Sequence, residues 1–249
     1  SEKFDIFGAQ EPYLTQIKDI EPFLDGYTWV GENVIGDKTA QRRHYNPVFY
    51  RKDKFEVLDM GSFWYSETPS APGSNSPRMC NWVHFRIRAN GREFYHFNSH
   101  FDHIGTTARA ESAKLLVAKV REIAGGKPAF CTGDFNSNQN TEAYKTIAGS
   151  SILADSYVRC PSKTNGDWPT YNGYKYISTP PAAASRIDHV FVTPKDTKVV
   201  SWRIVNNSYN RKYPSDHFPD VLHLFIIGII LIQRGLLSPT LKMNPVHPF

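Results

Sequence analysis

Short apolar runs recur along the chain between clusters of Gly, Pro, Asn, Asp and Ser, and most are too short for helices. Phe4–Gln10 (FDIFGAQ) reads as a buried strand ending at Glu11-Pro12, where the proline bars Glu11 from the α region. Leu14, Ile17, Ile20 and Leu24 then recur at close to helical spacing across residues 13–24. Tyr27–Val30 reads as a strand, and Val48–Tyr50 and Phe55–Leu58 as two more around a charged hairpin turn at Arg51–Lys54. Trp82–Arg88 sets Trp, His and Arg against Val, Phe and Ile, the alternation of a half-exposed strand. Asn90-Gly91 is a two-residue hairpin turn, and Glu93–Ser99 is the return strand that delivers His100 at its end.

Residues 107–124 form the clearest helix. Thr107 is the expected cap, Ala110, Ala113, Leu116, Val117, Val120 and Ile123 share a face, and Gly125-Gly126 closes it. Ala129–Thr132, Ile187–Thr193, Val199–Val205 and Val221–Phe225 read as strands, and Glu142–Ile147 as a short helix. Phe63–Pro77 and Pro161–Pro181 are long polar loops that carry aromatic residues. No repeat or linker divides the chain, so the expectation is one domain over residues 1–225, α+β, built of stacked sheets with functional loops at one rim. Val221–Ile232 is apolar but short of the ~20 residues that span a bilayer. Residues 226–249 read as an atypical apolar tail.

Composition adds limits. A chain 40% apolar and 21% charged is globular rather than disordered. Its 29 basic and 24 acidic residues give +5, mildly favourable to polyanions but far from polybasic. Cys80, Cys131 and Cys160 form no CxxC and are odd in number, which argues against a disulfide framework; Cys131 reads as a small buried hydrophobe. Ser1-Glu2-Lys3 leads directly into a strand with no signal peptide, as in a cytoplasmic protein or in a processed secreted or periplasmic one.

The chemistry concentrates at strand ends. Asp134 and Asn136 lie where an apolar run breaks into Gly-Asp-Phe-Asn, with Gly133 permitting a tight turn. Asn98-Ser99-His100 and Ser215-Asp216-His217 occupy equivalent positions. Phosphate esters hydrolyse when a hard cation neutralises phosphoryl oxygens and a base prepares water for in-line attack, and hard cations take carboxylates. Glu11, Asp134 and Asp216 are the natural candidates. Asp188 is placed to hold one ring nitrogen of His217, and His100 to donate to the phosphate or the leaving group. Taken singly, each has a plainer reading: Glu11 as a turn residue, Asp134 as an Asx turn, each histidine as a satisfied structural group. His103 and His189 are assigned to the surface or to support. Asn98–His103 (NSHFDH) carries two histidines, but with no Cys or His cluster at structural-site spacing they do not make a zinc site. Trp64, Trp168 and Tyr171 are candidates for stacking on a substrate ring, and Arg42 and Arg78 for forked contacts to phosphate.

IFGAQEP, NPVFYRKDKFEVLDMGSFWYSETP, NSHFDHIG, TGDFNS, PTYNGY, SRIDHVFVT and SDHFPDV, in that order, resemble the endonuclease/exonuclease/phosphatase superfamily, and within it a bacterial subgroup. The resemblance covers about Phe4 to Phe225. It implies a DNase I-like, four-layer α/β sandwich with two central mixed sheets flanked by helices, and a Mg²⁺- or Mn²⁺-dependent hydrolase. It places Glu11 and Asp216 on the metal, Asp134 as base or water-orienting carboxylate, and Asn136 beside it. Asp188 orients His217, and His100 contacts the phosphoryl group. The family pattern puts an Asn-bearing strand ahead of the Glu. Only ten residues precede Glu11, so the expectation is a domain lacking that strand, with an open sheet edge. The expected partner is a phosphorylated small molecule, or a sugar-linked one, cleaved as a monoester or a diester. A DNA or RNA nuclease and a non-catalytic phospholigand-binding fragment are the alternatives.

Overall fold

The computed structural model describes residues 4–37, 40–71 and 76–226. In chain order the elements begin with β1 (Ile6–Gly8), α1 (Leu14–Ile20), β2 (Tyr27–Val30), β3 (Val48–Arg51), β4 (Phe55–Trp64), β5 (Met79–Ile87) and β6 (Glu93–His100). There follow α2 (Thr106–Ala124), β7 (Ala129–Asp134), α3 (Glu142–Ala148), β8 (Ala154–Asp155), α4 (Ser156–Arg159) and β9 (Lys163–Thr164). The last are β10 (Asp188–Val192), β11 (Thr197–Ile204) and β12 (Asp220–Ile226).

Strands pair in the order β4-β5-β6-β7-β10-β8 to form a six-stranded sheet, mixed because β6 and β7 run parallel while the other pairs are antiparallel. Facing it is a second layer in two pieces, β1-β3-β2 and β12-β11-β9. No ladder joins the two pieces among the described residues.

Alternation along the strands creates three cores and hence four layers. Val48, Phe85, Phe94, Phe130, Val192 and Trp202 fill the space between the sheet layers. Phe97, Cys131 and Phe191 point to the opposite face of the large sheet, where Ala113, Leu116 and Val120 of α2 and Ile147 of α3 cover them. Phe49, one residue after Val48 and so on the other side of β3, packs under Leu14 and Ile17 of α1. The expected sandwich of mixed sheets flanked by helices is the observed architecture.

Several local expectations change. Arg51–Lys54 turns, with Lys54 N–H donating to the Arg51 carbonyl at 3.2 Å. It is no hairpin, because β3 belongs to the smaller sheet and β4 to the larger. β4 runs on through Phe63 and Trp64, which are therefore strand rather than loop. Asn90-Gly91 closes a longer turn in which Ile87 N–H donates to the Arg92 carbonyl at 2.7 Å. Gly105, not Thr107, caps α2, and the Asp102 carboxylate accepts the Gly105 N–H at 2.6 Å. Helix α1 stops at Ile20, leaving that side chain exposed, because Pro22 redirects the chain into a 3₁₀ turn over Glu21–Phe23. Pro161–Pro181 contributes the short β9. β12 extends to Ile226, and residues 227–249 of the expected tail lie outside the described residues. All three cysteines are buried and free. No helix among the described residues is long and apolar enough to cross a membrane.

One buried group sets a pH dependence of stability. His96 lies between the sheet layers, its Nε2 2.8 Å from Thr132 Oγ1 and its Nδ1 without a partner. Burial pushes its pKa down to about 3. Below pH 6.5 the unfolded chain takes up a proton that the folded chain refuses until about pH 3, so stability falls as pH drops through that window. His96→Gln is expected to flatten the slope of unfolding free energy between pH 6.5 and 4.5 by on the order of 1 kcal/mol per pH unit. Urea titrations across that range measure it, and an unchanged slope would rule the explanation out.

Candidate active site

Register builds the centre of the site. In the parallel β6/β7 ladder His100 lies opposite Asp134, and in the antiparallel β7/β10 ladder Asp134 lies opposite Asp188. Three ionisable side chains thus stand on adjacent strands at one rim of the large sheet. The close approach of β6 and β7 depends on Gly133, at φ +159°, because a Cβ there would fall 2.2 Å from the Ser99 carbonyl oxygen. Asn136 (φ +46°) holds a left-handed backbone that turns it back on Asp134. Its N–H donates to Asp134 Oδ1 at 2.8 Å, and its amide donates to the Phe101 carbonyl at 3.1 Å and to Asp134 Oδ2 at 3.3 Å.

Loops bring the remaining groups. Glu11 follows β1 and is also left-handed, at φ +66°, a strained state for a residue with a side chain. Buried Asn98 fixes the approach to it: its amide donates to the Ala9 and Pro47 carbonyls at 2.9 and 3.0 Å, and Gln10 donates to its Oδ1 at 2.6 Å. Residues 170–172 pair with 216–218 through a Tyr171–His217 bridge and the N–H groups of Asn172 and Phe218. Buried Thr170 links this pairing to β10, since its hydroxyl oxygen accepts the N–H groups of Ile187 and Asp188 at 2.9 and 3.0 Å. Behind them Arg186 forms a buried ion pair with Asp155 at 3.0 Å, its guanidinium stacked 3.8 Å from the Tyr157 ring centre.

Glu11, Arg78, His100, Asp134, Asp216 and His217 line a single cleft of about 550 Å³. His217 Nδ1 is 2.8 Å from Asp188 Oδ2, and its Nε2 is 3.9 Å from Asp134 Oδ2. Burial disfavours a charged His217, but the Asp188 hydrogen bond and the charges of Asp188 and Asp134 outweigh it and push its pKa up to about 9. At neutral pH it is an imidazolium. Burial, and then the nearby Asp188 charge, push the Asp134 carboxyl upward, against the pull of His217. Burial and the Arg78 charge hold His100 well below the ordinary histidine range, so it is neutral. Its Nε2 is 3.6 Å from both Glu11 Oε1 and Asp134 Oδ2.

Ligand atoms of Asp134, Asp188 and His217 lie within 4.8 Å of one another, and Glu11 and Asp216 add two carboxylates to the same cleft. This oxygen-rich set without thiolates suits a hard divalent cation. Asp188 and His217 are already committed to each other through their 2.8 Å contact.

The other sequence candidates divide. Arg78 and Tyr171 line the cleft. Trp64 does not: it is buried, with its indole N–H donating to the Val34 carbonyl at 2.8 Å. Trp168 packs edge-on against Phe218 on the core between the sheet layers. Arg42 is exposed and stands off the cleft wall. His189 is buried, 2.8 Å from the Ser137 carbonyl, a supporting position as expected. Two histidines of the cleft carry no catalytic or binding role in the sequence reading. His44 reaches within 3.6 Å of Glu11 Oε1, and His103, set aside as surface, is 2.9 Å from Arg78 Nη2. Only the three-residue spacing of His100 and His103 signalled the latter.

Comparison with known proteins identifies the family. Residues 2–217 match the profile of the Endonuclease/Exonuclease/phosphatase family. A mannosyl-6-phosphatase from Bacteroides thetaiotaomicron is 38% identical, with a TM-score of 0.81 over 89% of this chain and 85% of its own. A family protein from Bacteroides vulgatus is 34% identical, with a TM-score of 0.78 over the same shares. Drosophila melanogaster nocturnin is 24% identical over 206 residues, 69% of this chain, which spans only 31% of nocturnin's length. The chain belongs to the endonuclease/exonuclease/phosphatase family.

Proposed function

We propose that this chain is a divalent-cation-dependent phosphoric ester hydrolase acting on a phosphorylated small molecule, with a sugar phosphate as the leading substrate. The observation that carries this reading is the convergence of Asp134, the His217–Asp188 pair and His100 on one cleft. Its volume lies in the range of small-molecule sites, ~300–1,000 Å³. The similar mannosyl-6-phosphatase supports a sugar as the leaving group.

Glu11 and Asp216 would hold Mg²⁺ or Mn²⁺, which supplies neutralisation of phosphoryl charge. Asp134, its basicity raised by burial beside Asp188, orients a water and takes its proton as oxygen attacks phosphorus in line. Asn136 holds Asp134 through two hydrogen bonds, one from its backbone N–H and one from its side-chain amide. His217, kept charged by Asp188, lies against the phosphoryl oxygens, where negative charge increases in the transition state. Neutral His100 offers its Nε2 N–H from the opposite strand. The P–O bond to the alcohol breaks, the proton that Asp134 took from water passes through solvent to the leaving oxygen, and inorganic phosphate and the neutral alcohol leave with Asp134 again a carboxylate.

The reading is tested by incubating the protein and Mg²⁺ with mannose 6-phosphate, bis-p-nitrophenyl phosphate and a single-stranded oligonucleotide. Fastest release from the sugar phosphate is expected. Cleavage of the oligonucleotide alone, with a rate falling steeply as salt rises, would make the protein a nuclease instead. Ligand binding without turnover of any of the three would make it non-catalytic.

A further inference from the structure

Arg78 lines the cleft with its side chain 11% exposed, and both ends of its fork meet imidazoles. Nη1 is 3.2 Å from His100 Nδ1, and Nη2 is 2.9 Å from His103 Nδ1. Asp102 Oδ1 backs the guanidinium, 3.9 Å from Nε. A guanidinium has only donors, so Nδ1 is the acceptor in both contacts and each ring hydrogen sits on Nε2. The two imidazoles are therefore held alike but placed differently. His100 is 3% exposed and faces Glu11 and Asp134. His103 is 56% exposed on the cleft wall, and its Nε2 has no hydrogen-bond partner among the described residues.

We propose that Arg78 and His103 form a specificity-determining subsite for the third non-bridging oxygen of a terminal phosphate, so that the cleft takes dianionic monoesters in preference to diesters. This rests on the phosphoester-hydrolase reading. Glu11, Asp134 and Asp216 also line the cleft and make it acidic, and a monoester carries close to two negative charges at neutral pH. A cation held by Glu11 and Asp216 would offset part of that repulsion. The Arg78 charge and a fixed His103 N–H supply a further favourable contact. In a diester the corresponding oxygen is esterified, so it is bulkier and a poorer acceptor, and the contact is lost. Specificity of this kind comes from a site built to hydrogen-bond a group that the competitor lacks.

The test compares kcat/KM for p-nitrophenyl phosphate and bis-p-nitrophenyl phosphate in wild type, His103→Ala and His103→Gln, all with Mg²⁺. His103 is surface-accessible, and thermal melts check that each variant folds. A hydrogen bond to a charged group predicts that His103→Ala lowers the monoester-to-diester ratio on the order of tenfold. His103→Gln, which retains an N–H donor, is expected to recover part of it. A ratio unchanged in His103→Ala, whether both rates fall together or neither moves, overturns the subsite. If wild type hydrolyses neither ester, the hydrolase reading fails, and calorimetric titration with inorganic phosphate tests the subsite by itself. Affinity weakened about tenfold in His103→Ala supports it, whereas equal affinity, or no binding by wild type, overturns it.

Discussion

Asp134→Ala is expected to lower kcat for phosphoester hydrolysis on the order of 10³-fold while leaving the protein folded. The size follows from removing a positioned base, a group that typically contributes ~10²–10⁴ in rate. Asp134 is the side chain on which the site converges. It accepts from Asn136, lies opposite His100 and Asp188 in register, and stands 3.9 Å from His217 Nε2. Folding tolerates the change because the variant loses the Asn136 hydrogen bond but also sheds a buried carboxylate repelled by Asp188. Strained, like-charged groups of this kind are a common place for activity and stability to oppose each other. Steady-state kinetics beside thermal melts measure both quantities. Activity within tenfold of wild type in a folded variant would remove Asp134 from the mechanism.

His217→Ala and Asp188→Asn are each expected to cost ~10²–10⁴ in kcat, and the double variant little more than the worse single one. The reason is mechanical. Asp188 touches the chemistry through His217, at 2.8 Å from Nδ1, and its carboxylate keeps that imidazole charged and turned so that Nε2 faces Asp134. An amide at position 188 leaves the imidazole without a charged partner and free to rotate. Once His217 is gone, the state of residue 188 matters little. Two independent contributors would instead give multiplied losses, so multiplicative costs in the double variant would refute the pairing.

How far the sequence anticipated this site depends on what each signal encodes. His100, Asp134 and Asp188 were legible because the first two end strands and the third opens one, and antiparallel and parallel pairing brings those strand ends to one rim in adjacent register. Stacked sheets were legible from the recurrence of short strands, but the four layers only from the resemblance to the family; the opposite facings of Val48 and Phe49 show how alternation produces them. Pairing was less so. Arg51–Lys54 has the composition of a hairpin turn, but whether flanking strands pair or part into separate sheets is decided by distant partners, here β1 and β2 for β3.

Aromatic roles were misjudged for a similar reason. Trp64 and Trp168 sit in segments that look like loops, yet an indole is as readily drawn into a core edge as into a binding site. His44 was invisible because no apolar pattern surrounds it; only the fold brings it to Glu11. Arg78 is a candidate phosphate contact in the sequence, and its fork is bonded to two histidines, which makes it an organiser of the cleft wall. Such a role is set by side-chain geometry across three segments and has no local signature.

The central claim is that the cleft joins a divalent cation to its own carboxylates and histidines to hydrolyse a phosphoester. The most direct measurement is phosphate release from mannose 6-phosphate by chelator-stripped protein as Mg²⁺ is titrated back, with Glu11→Gln alongside. The account expects no release without the cation, saturable recovery in wild type, and recovery in Glu11→Gln only at about tenfold or more higher Mg²⁺. Equal release with and without chelator, or a Glu11→Gln curve superimposable on wild type, would contradict it.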